Sequence, residues 1–348
     1  MKFSILIPAY NEEKSISACL NSLVSVEYSD KEIIVIDDAS ADNTVKEVEK
    51  FASRGVILVK REKNGGRAAA LNSGLFAATG DIVVTTDADT IVSSNWLEKV
   101  QHHFGDEKVV AVGGAYRAKN NEHPLANATS VLDQILNGTF NKTVIPNKLS
   151  GVNTAIRKKT LLDLHGFNEE SWWSEDSELG WKLDKIGKVV YDPENVVYTE
   201  YPDTWSGIWK RKFFWGYAMG LKFREKLPLR PKLWLRPMLF MLLFTSLFAF
   251  FATLPFGIKM FIIPGVVFGC LLILLTVIYV PLGAVLLINR REKNIIKTLS
   301  CLSILPIVRE FAYVYGMFFG FLKGRTSGIK PSWKEKMNHK DFERNIVK

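Results

Sequence analysis

Between residues 2 and 116 the chain alternates short β-branched apolar runs with amphipathic stretches of helical period, and few folds accept that pattern. Residues 3–8, 32–36, 56–59, 82–86 and 109–112 read as strands. Residues 13–24, 44–51, 67–79 and 95–103 read as helices between them. Strands joined by helices of this length need crossover connections, so the fold class is α/β with a parallel sheet and right-handed crossovers. Thr44 with Glu47 fits a capping box at the start of the second helix.

At 348 residues there is room for about two domains. Residues 1–204 carry a net charge of −8 and residues 205–348 a net charge of +17. The first region reads as one cytosolic domain, with a regular half (1–116) and a more irregular half (117–204). It opens on a β-like run rather than a signal peptide. The basic region also holds the longest apolar runs, so its expected partner is anionic membrane lipid. No recognition motif accompanies the charge, which argues against nucleic acid. Cys19, Cys270 and Cys301 show no metal-ligand or redox spacing and read as structural thiols.

Residues 205–232 interleave Trp205, Ile208, Trp209, Phe213, Trp215 and Leu221 with Lys210, Arg211, Lys212, Lys222 and Arg224. That mixture suits an amphipathic helix at the headgroup boundary. A membrane region over 233–322 is expected to follow. Residues 237–258 are 22 positions without a charge and residues 260–289 are 30. Each exceeds the roughly 20 residues a span requires. Arg309 and Glu310 divide residues 298–322 into apolar pieces of 11 and 12, lengths that suggest an interfacial or re-entrant segment. Arg290, Arg291, Lys293 and Lys297 in one loop, and the basic tail 323–348, point to the cytoplasmic side. The expectation is a multi-pass membrane protein whose first domain and tail are cytoplasmic.

Asp87-Ala88-Asp89 ends the fourth strand, where open α/β sheets place ligands. Paired carboxylates there suit Mg²⁺ or Mn²⁺ completed by substrate phosphates. Pro8-Ala9-Tyr10-Asn11-Glu12 ends the first strand. Asn11 and Glu12 can cap a helix, or Ala9 and Tyr10 can form an edge against a nucleobase. Asp37-Asp38-Ala39-Ser40 ends the second strand, with carboxylates for a base imide or ribose, or for turn capping. Asn64-Gly65-Gly66-Arg67 turns into a helix whose N-terminus attracts phosphate, and Arg67 can add a charge-assisted bond. No Gly-x-Gly-x-x-Gly or Walker A sequence is present, against a dinucleotide enzyme or P-loop ATPase. Glu175, Asp176 and Glu178 crowd a helix start, which should raise at least one carboxyl pKa.

These motifs, with Ala70, Asn72-Ser73-Gly74, Gly151-Val152-Asn153-Thr154-Ala155-Ile156-Arg157, Gly166-Phe167-Asn168 and Trp173-Ser174-Glu175-Asp176-Ser177-Glu178-Leu179, resemble the successive motifs of inverting family 2 glycosyltransferases. The resemblance covers residues 3–216. It implies an A-type glycosyltransferase fold, a Rossmann-like mixed sheet, and a UDP- or GDP-linked sugar donor. It implies donor contacts from Pro8, Ala9, Tyr10, Glu12, Asp38, Gly66, Arg67 and Asp87, with Asp38 on the base. Asp87 would face ribose or metal, and Asp89 would ligate Mg²⁺ or Mn²⁺. Asp176 would be the general base, taking the acceptor hydroxyl proton as that oxygen attacks the anomeric carbon. Glu175, Trp173, Trp215 and Arg211 are the acceptor-side candidates, with Trp172 and Trp173 a possible sugar platform or core residues.

One departure matters. Processive members such as cellulose and chitin synthases carry Gln-x-x-Arg-Trp on an interfacial helix. Here Arg211 stands for Gln, Phe214 for Arg, and Trp215 is kept. That argues against processive synthesis. The expected function is transfer to a hydroxyl of a membrane-associated, lipid-linked saccharide. The alternatives are a polyprenyl-phosphate monosaccharide synthase, which needs no base, and a short-chain polysaccharide synthase. A degenerate membrane scaffold fits poorly with Asp89 and Asp176.

Overall fold

The computed structural model describes residues 1–137, 149–170, 175–224, 245–246, 266, 279–288 and 294–323. Its strands are β1 (Phe3–Ala9), β2 (Lys31–Asp37), β3 (Val56–Lys60), β4 (Ile82–Thr85), β5 (Val109–Ala118), β6 (Thr154–Arg157) and β7 (Lys188–Thr199). Its helices are α1 (Ile16–Val24), α2 (Thr44–Glu49), α3 (Arg67–Ala77), α4 (Trp96–His103), α5 (Pro124–Asn137), α6 (Lys158–Asp163), α7 (Glu175–Leu183), α8 (Trp205–Arg224) and α9 (Ile295–Lys323). The described residues fall into two units. One draws on Met1–Lys119 and Thr139–Glu200, the other on Asn120–Gly138 and Tyr201–Gly328.

The first unit is a mixed seven-stranded sheet in the order β3-β2-β1-β4-β6-β5-β7. All neighbours pair parallel except β6, which runs antiparallel to both β4 and β5. Helices cover both faces, so the strands are apolar on both sides. Phe3, Ile5 and Ile7 of β1 pack with Ile16, Leu20 and Leu23 of α1 and Trp96 and Val100 of α4. Leu6 of β1, with Ile34 and Ile36 of β2, packs on Ala70, Leu71 and Leu75 of α3. The chain winds from β1 through β2 to β3 on one side, then returns to lay β4 on the other side of β1. That reversal opens a crevice beyond the carboxyl ends of β1 and β4, where the Tyr10–Glu12 and Asp87–Asp89 segments lie.

The expected early elements are present, with small shifts at their ends. Residues 117–204 are more regular than their sequence suggests. They contribute β6, β7 and three helices, and β5 continues to Ala118. β6 is only four residues long, and β7 carries Pro193 at a shift in register with β5, which blurs its alternation. Thr44 and Glu47 do not form a capping box. Thr44 is the first helical residue, and its hydroxyl donates to Asp42 Oδ1 at 2.5 Å. Glu47 instead accepts from Ser17 at 2.9 Å and Lys50 at 2.6 Å. Tertiary donors, the Glu12 N–H on Thr44 and the Ser17 hydroxyl on Glu47, take the place of the local cap.

In the second unit Leu125, Val131, Leu132 and Ile135 of α5 pack with Ile208 of α8 and Leu302 and Leu305 of α9. α8 and α9 meet backbone to backbone. A Cβ on Gly316 would lie 2.0 Å from the Phe213 carbonyl oxygen, and one on Gly216 would lie 1.8 Å from that of Tyr313. Small residues that admit such an approach are a feature of helix pairs in lipid. Arg309 and Glu310 do not break α9, which runs through them and through Pro306. Both are buried, and Arg309 Nη1 stands 2.5 Å from Asp133 Oδ1. Lys212, expected among the surface cations of an amphipathic helix, is also buried, with its Nζ 3.6 Å from the same oxygen. Burial alone would raise the Asp133 carboxyl. The Arg309 and Lys212 charges overcome it and hold the group well below the usual carboxylate range.

Among the described residues no helix is long and apolar enough to cross a membrane. The expected spans at 237–258 and 260–289 lie mostly outside the described residues, as does the tail from 324 onward.

Candidate active site

The loops after β1 and β2 interlock at the rim of the crevice. Asn11 donates its N–H to Ser40 Oγ at 3.0 Å and accepts the Ala41 N–H at 2.8 Å on its Oδ1. The Glu12 N–H donates to Thr44 Oγ1 at 2.7 Å, and the Glu12 carboxylate accepts from Ser15 at 2.5 Å. Asn11 and Glu12 therefore join the two loops and do not simply cap α1. Asn11 and Ala39 both take positive φ, 55° and 61°. Ala9, buried, accepts the Asp38 N–H on its carbonyl at 2.9 Å.

Asp38 is buried and already committed. Its carboxylate accepts the Gly65 N–H at 3.0 Å and the Gly66 N–H at 2.8 Å, and it pairs with Arg61. Asp38 thus shapes the turn that opens α3. The adjacent Asp37 accepts the Ser40 N–H on Oδ2 at 3.2 Å, while its buried Oδ1 has no hydrogen-bond partner among the described residues. Arg61 has no motif to announce it. It is found only because the 61–66 turn folds back onto β2.

Asp87 and Asp89 sit half-buried just past the end of β4. Asp89 Oδ1 accepts from Thr199 Oγ1 at 3.1 Å, at the end of β7. Asp87 Oδ1 accepts from both Nε and Nη2 of Arg67 at 3.1 Å. Among the described residues no third His, Cys, Asp or Glu joins them in a metal-binding group. Two carboxylates with diphosphate oxygens in the remaining positions is nevertheless the usual way Mg²⁺ is held, so this donor set fits the ion. Cys19 lies below, donating to the Asp87 carbonyl at 3.5 Å. Burial, with the Asp89 and Asp87 charges, pushes its thiol far up, as befits a structural cysteine.

Arg67 gathers the rest. Its Nη1 donates to Glu175 Oε1 at 2.9 Å and its Nη2 to the Gly151 carbonyl at 2.7 Å. The Gly151 N–H donates to Asp176 Oδ2 at 3.2 Å. At the start of α7 the Glu175 carboxyl is raised. Burial is the main cause and the Asp176 charge adds to it, against the pull of Arg67. Glu178 is tied elsewhere, accepting from Asn168 Nδ2 at 3.0 Å and pairing with Lys182 at 3.1 Å.

Two of the motifs hold the frame together. Asn153 accepts from Trp96 Nε1 at 3.0 Å and donates to the carbonyls of Ala115 and Asn195 at 3.0 and 2.9 Å. Asn72 accepts the Phe167 N–H at 2.8 Å and donates to the Phe167 carbonyl at 2.9 Å. Trp172 and Trp173 lie outside the described residues. In the second unit Trp215 is covered by cations. Lys212 Nζ stands 3.7 Å from its ring centre and Arg211 Cζ 5.6 Å. Phe214 is buried against Phe213, with ring centres 5.8 Å apart.

Residues 4–164 match the family described as Glycosyl transferase family 2. Poly-beta-1,6-N-acetyl-D-glucosamine synthase of Staphylococcus aureus (strain COL) is 32% identical over 222 residues, covering 61% of this chain and 53% of the relative. The synthase of the same name from Staphylococcus epidermidis is 30% identical over 219 residues, with the same shares. The chain thus spans about half the length of the curated relatives it matches. Among solved structures, the mannosyltransferase PcManGT from Pyrobaculum calidifontis, in complex with GDP-Man and Mn²⁺, aligns with a TM-score of 0.57 at 19% identity. That alignment covers 92% of this chain and 87% of the other. Residues 4–164 are thus similar to a family 2 glycosyltransferase domain, and the mixed sheet shares the fold of that mannosyltransferase, an A-type glycosyltransferase-like fold.

Proposed function

We propose that this chain is an inverting glycosyltransferase that moves a sugar from a nucleoside-diphosphate donor to a hydroxyl of a membrane-associated saccharide, most simply a lipid-linked one. The observation that carries the reading is the meeting of Asp87, at the donor end of the crevice, with Glu175 through the Arg67 guanidinium and with Asp176 through the Gly151 peptide that the same guanidinium bonds. GDP-Man and Mn²⁺ are held by a protein of the same fold, which supports a sugar nucleotide and a divalent ion here.

In this reading Pro8, Ala9 and Tyr10 line the nucleoside edge of the crevice with Glu12. Asp38 acts by building the Gly65-Gly66 turn, whose helix N-terminus faces phosphate. Asp89, with Asp87, would hold Mg²⁺ or Mn²⁺. When bound, that ion would neutralise charge on the leaving diphosphate. Asp176 takes the proton from the acceptor hydroxyl as the new glycosidic bond forms opposite the departing phosphate. Glu175, raised by burial and tied to Arg67, is a structural neighbour of the base.

The basic, aromatic α8 and the uncharged runs beyond it support a membrane tether with the catalytic domain and tail cytoplasmic. Phe214 supports addition of one or very few sugars at each encounter. A second reading, a short-chain polysaccharide synthase, is favoured by the names of the relatives. Detergent-purified protein should be screened against UDP- and GDP-sugars, with Mn²⁺ and a membrane lipid extract as acceptor. A discrete short product is expected. A ladder of successively extended short chains favours the synthase, and a failure to bind or consume any donor rejects both readings. Cysteine labelling of the tail from outside intact cells should fail, and success would reject the topology.

A further inference from the structure

We infer that Arg67 is a positioning residue that sets Asp176 through the Gly151 peptide, tying the donor end of the site to the acceptor end. The inference rests on the reading of Asp87 and Asp176 given above. Phosphate contact is the role expected of an arginine at the start of α3. The geometry assigns it another, since each of its three nitrogens already has a protein acceptor.

Gly151 is the relay. Its carbonyl accepts from Arg67 Nη2 at 2.7 Å and from Thr85 Oγ1 at 2.9 Å, while its N–H donates to Asp176 Oδ2 at 3.2 Å. A guanidinium fixed on Asp87 thereby fixes the residue that orients the candidate base. The loop has no freedom to compensate. The Asn153 N–H and Thr154 Oγ1 both donate to the Ser150 carbonyl, at 2.9 and 2.7 Å. A Cβ on Gly151 would lie 2.6 Å from Arg67 Nη1, so only glycine lets the guanidinium lie against this peptide.

Charge supplies the second half of the argument. Asp87, Glu175 and Asp176 all act on Arg67, and burial of the cation is offset by those three carboxylates. Without it they would repel one another across the crevice, and Glu175 would be buried beside a like charge. Asp176 would then leave the Gly151 N–H. A displacement of about 1 Å at a reacting group can cost about 100-fold in rate.

The test compares wild type with Arg67→Ala, Arg67→Lys, Gly151→Ala and Asp176→Asn. It measures kcat and KM of transfer and hydrogen exchange at the Gly151 amide. Arg67→Ala and Gly151→Ala should lower kcat by about 100-fold, with acceptor KM changed far less. Millimolar guanidinium should restore at least about tenfold in Arg67→Ala and nothing in Asp176→Asn. Arg67→Lys keeps a cation and the fold, yet should still speed exchange at Gly151 while leaving exchange in β4 unchanged. Wild-type kcat and exchange in Arg67→Ala would overturn the inference, as would a loss confined to donor KM, the mark of a phosphate ligand. If wild type transfers no sugar the proposed function fails, and the exchange measurements still decide the role of Arg67.

Discussion

The Arg67 guanidinium donates to Glu175 Oε1 at 2.9 Å across 108 positions of sequence, and the same side chain holds Asp87 at 3.1 Å. One cation thus joins the end of β4 to the start of α7.

Asp89→Ala should abolish metal-dependent binding of a nucleoside diphosphate while leaving the fold intact. The half-buried Asp89 lies in the segment beyond β4, outside the apolar core, and its Oδ1 accepts from Thr199 Oγ1 at 3.1 Å. Calorimetry with and without chelator measures this. Equal affinity in both conditions would remove Asp89 from the metal site.

Asp176→Asn should nearly eliminate transfer yet leave donor affinity within about threefold, because it removes a proton acceptor at constant shape. Single-turnover transfer and equilibrium donor binding, measured on one preparation, separate the two quantities. Transfer at the wild-type rate would assign the base elsewhere, or point to a phosphate acceptor.

Acid should weaken the first unit through Glu32. Burial tends to raise its carboxyl, but donors at Ser4 and Thr79 (2.5 to 2.7 Å) and the Lys2 ammonium at 3.2 Å push it down from 4.5 to about 2. A depressed folded pKa contributes stability that is full above the unfolded pKa. It is lost as pH falls through that value toward the folded one. The contribution is roughly 2–3 kcal/mol, and Glu32→Gln should flatten urea stability over that acid range. An unchanged slope against pH in the variant would show the donors to be idle.

Ala39 adopts φ 61°, a conformation that costs a non-glycine residue roughly 1–2 kcal/mol. Ala39→Gly removes that strain but loosens the unfolded chain by about 0.4–1 kcal/mol. The balance should raise stability by about 0.5–1 kcal/mol, read as a higher urea midpoint at constant slope. A lower midpoint would mean that the Asp38–Ser40 turn relaxes in solution.

Gly316→Val should force α8 and α9 apart, since even a Cβ there meets the Phe213 carbonyl oxygen at 2.0 Å. Overpacking of this kind costs roughly 1–3 kcal/mol. Thermal unfolding in detergent should fall accordingly, whereas Ile304→Val on an exposed face of α9 should change little. Equal behaviour of the two variants would reject the close helix contact.

The amino-acid sequence by itself determined the α/β class, the positions of β1 to β4 and the acids at their carboxyl ends. Apolar period and turn chemistry are local, so the residues after β1, β2 and β4 could be named before any contact was known. Tertiary structure alone decided what those residues touch. Asp38 reads either as an acceptor for a base or ribose or as turn capping, and only the fold shows that the distant 61–66 turn supplies Arg61 and two backbone N–H groups to it. Thr199 reaches Asp89 only because the 12-residue β7 pairs with β5 through a register shift that hides its alternation. Lys212 reads as a cation on the polar face of an amphipathic helix and Arg309 as an interruption of an apolar run, yet both are buried where Asp133 on α5 meets them. Pairings between distant residues depend on which surfaces the crossovers bring together, and no local period encodes that.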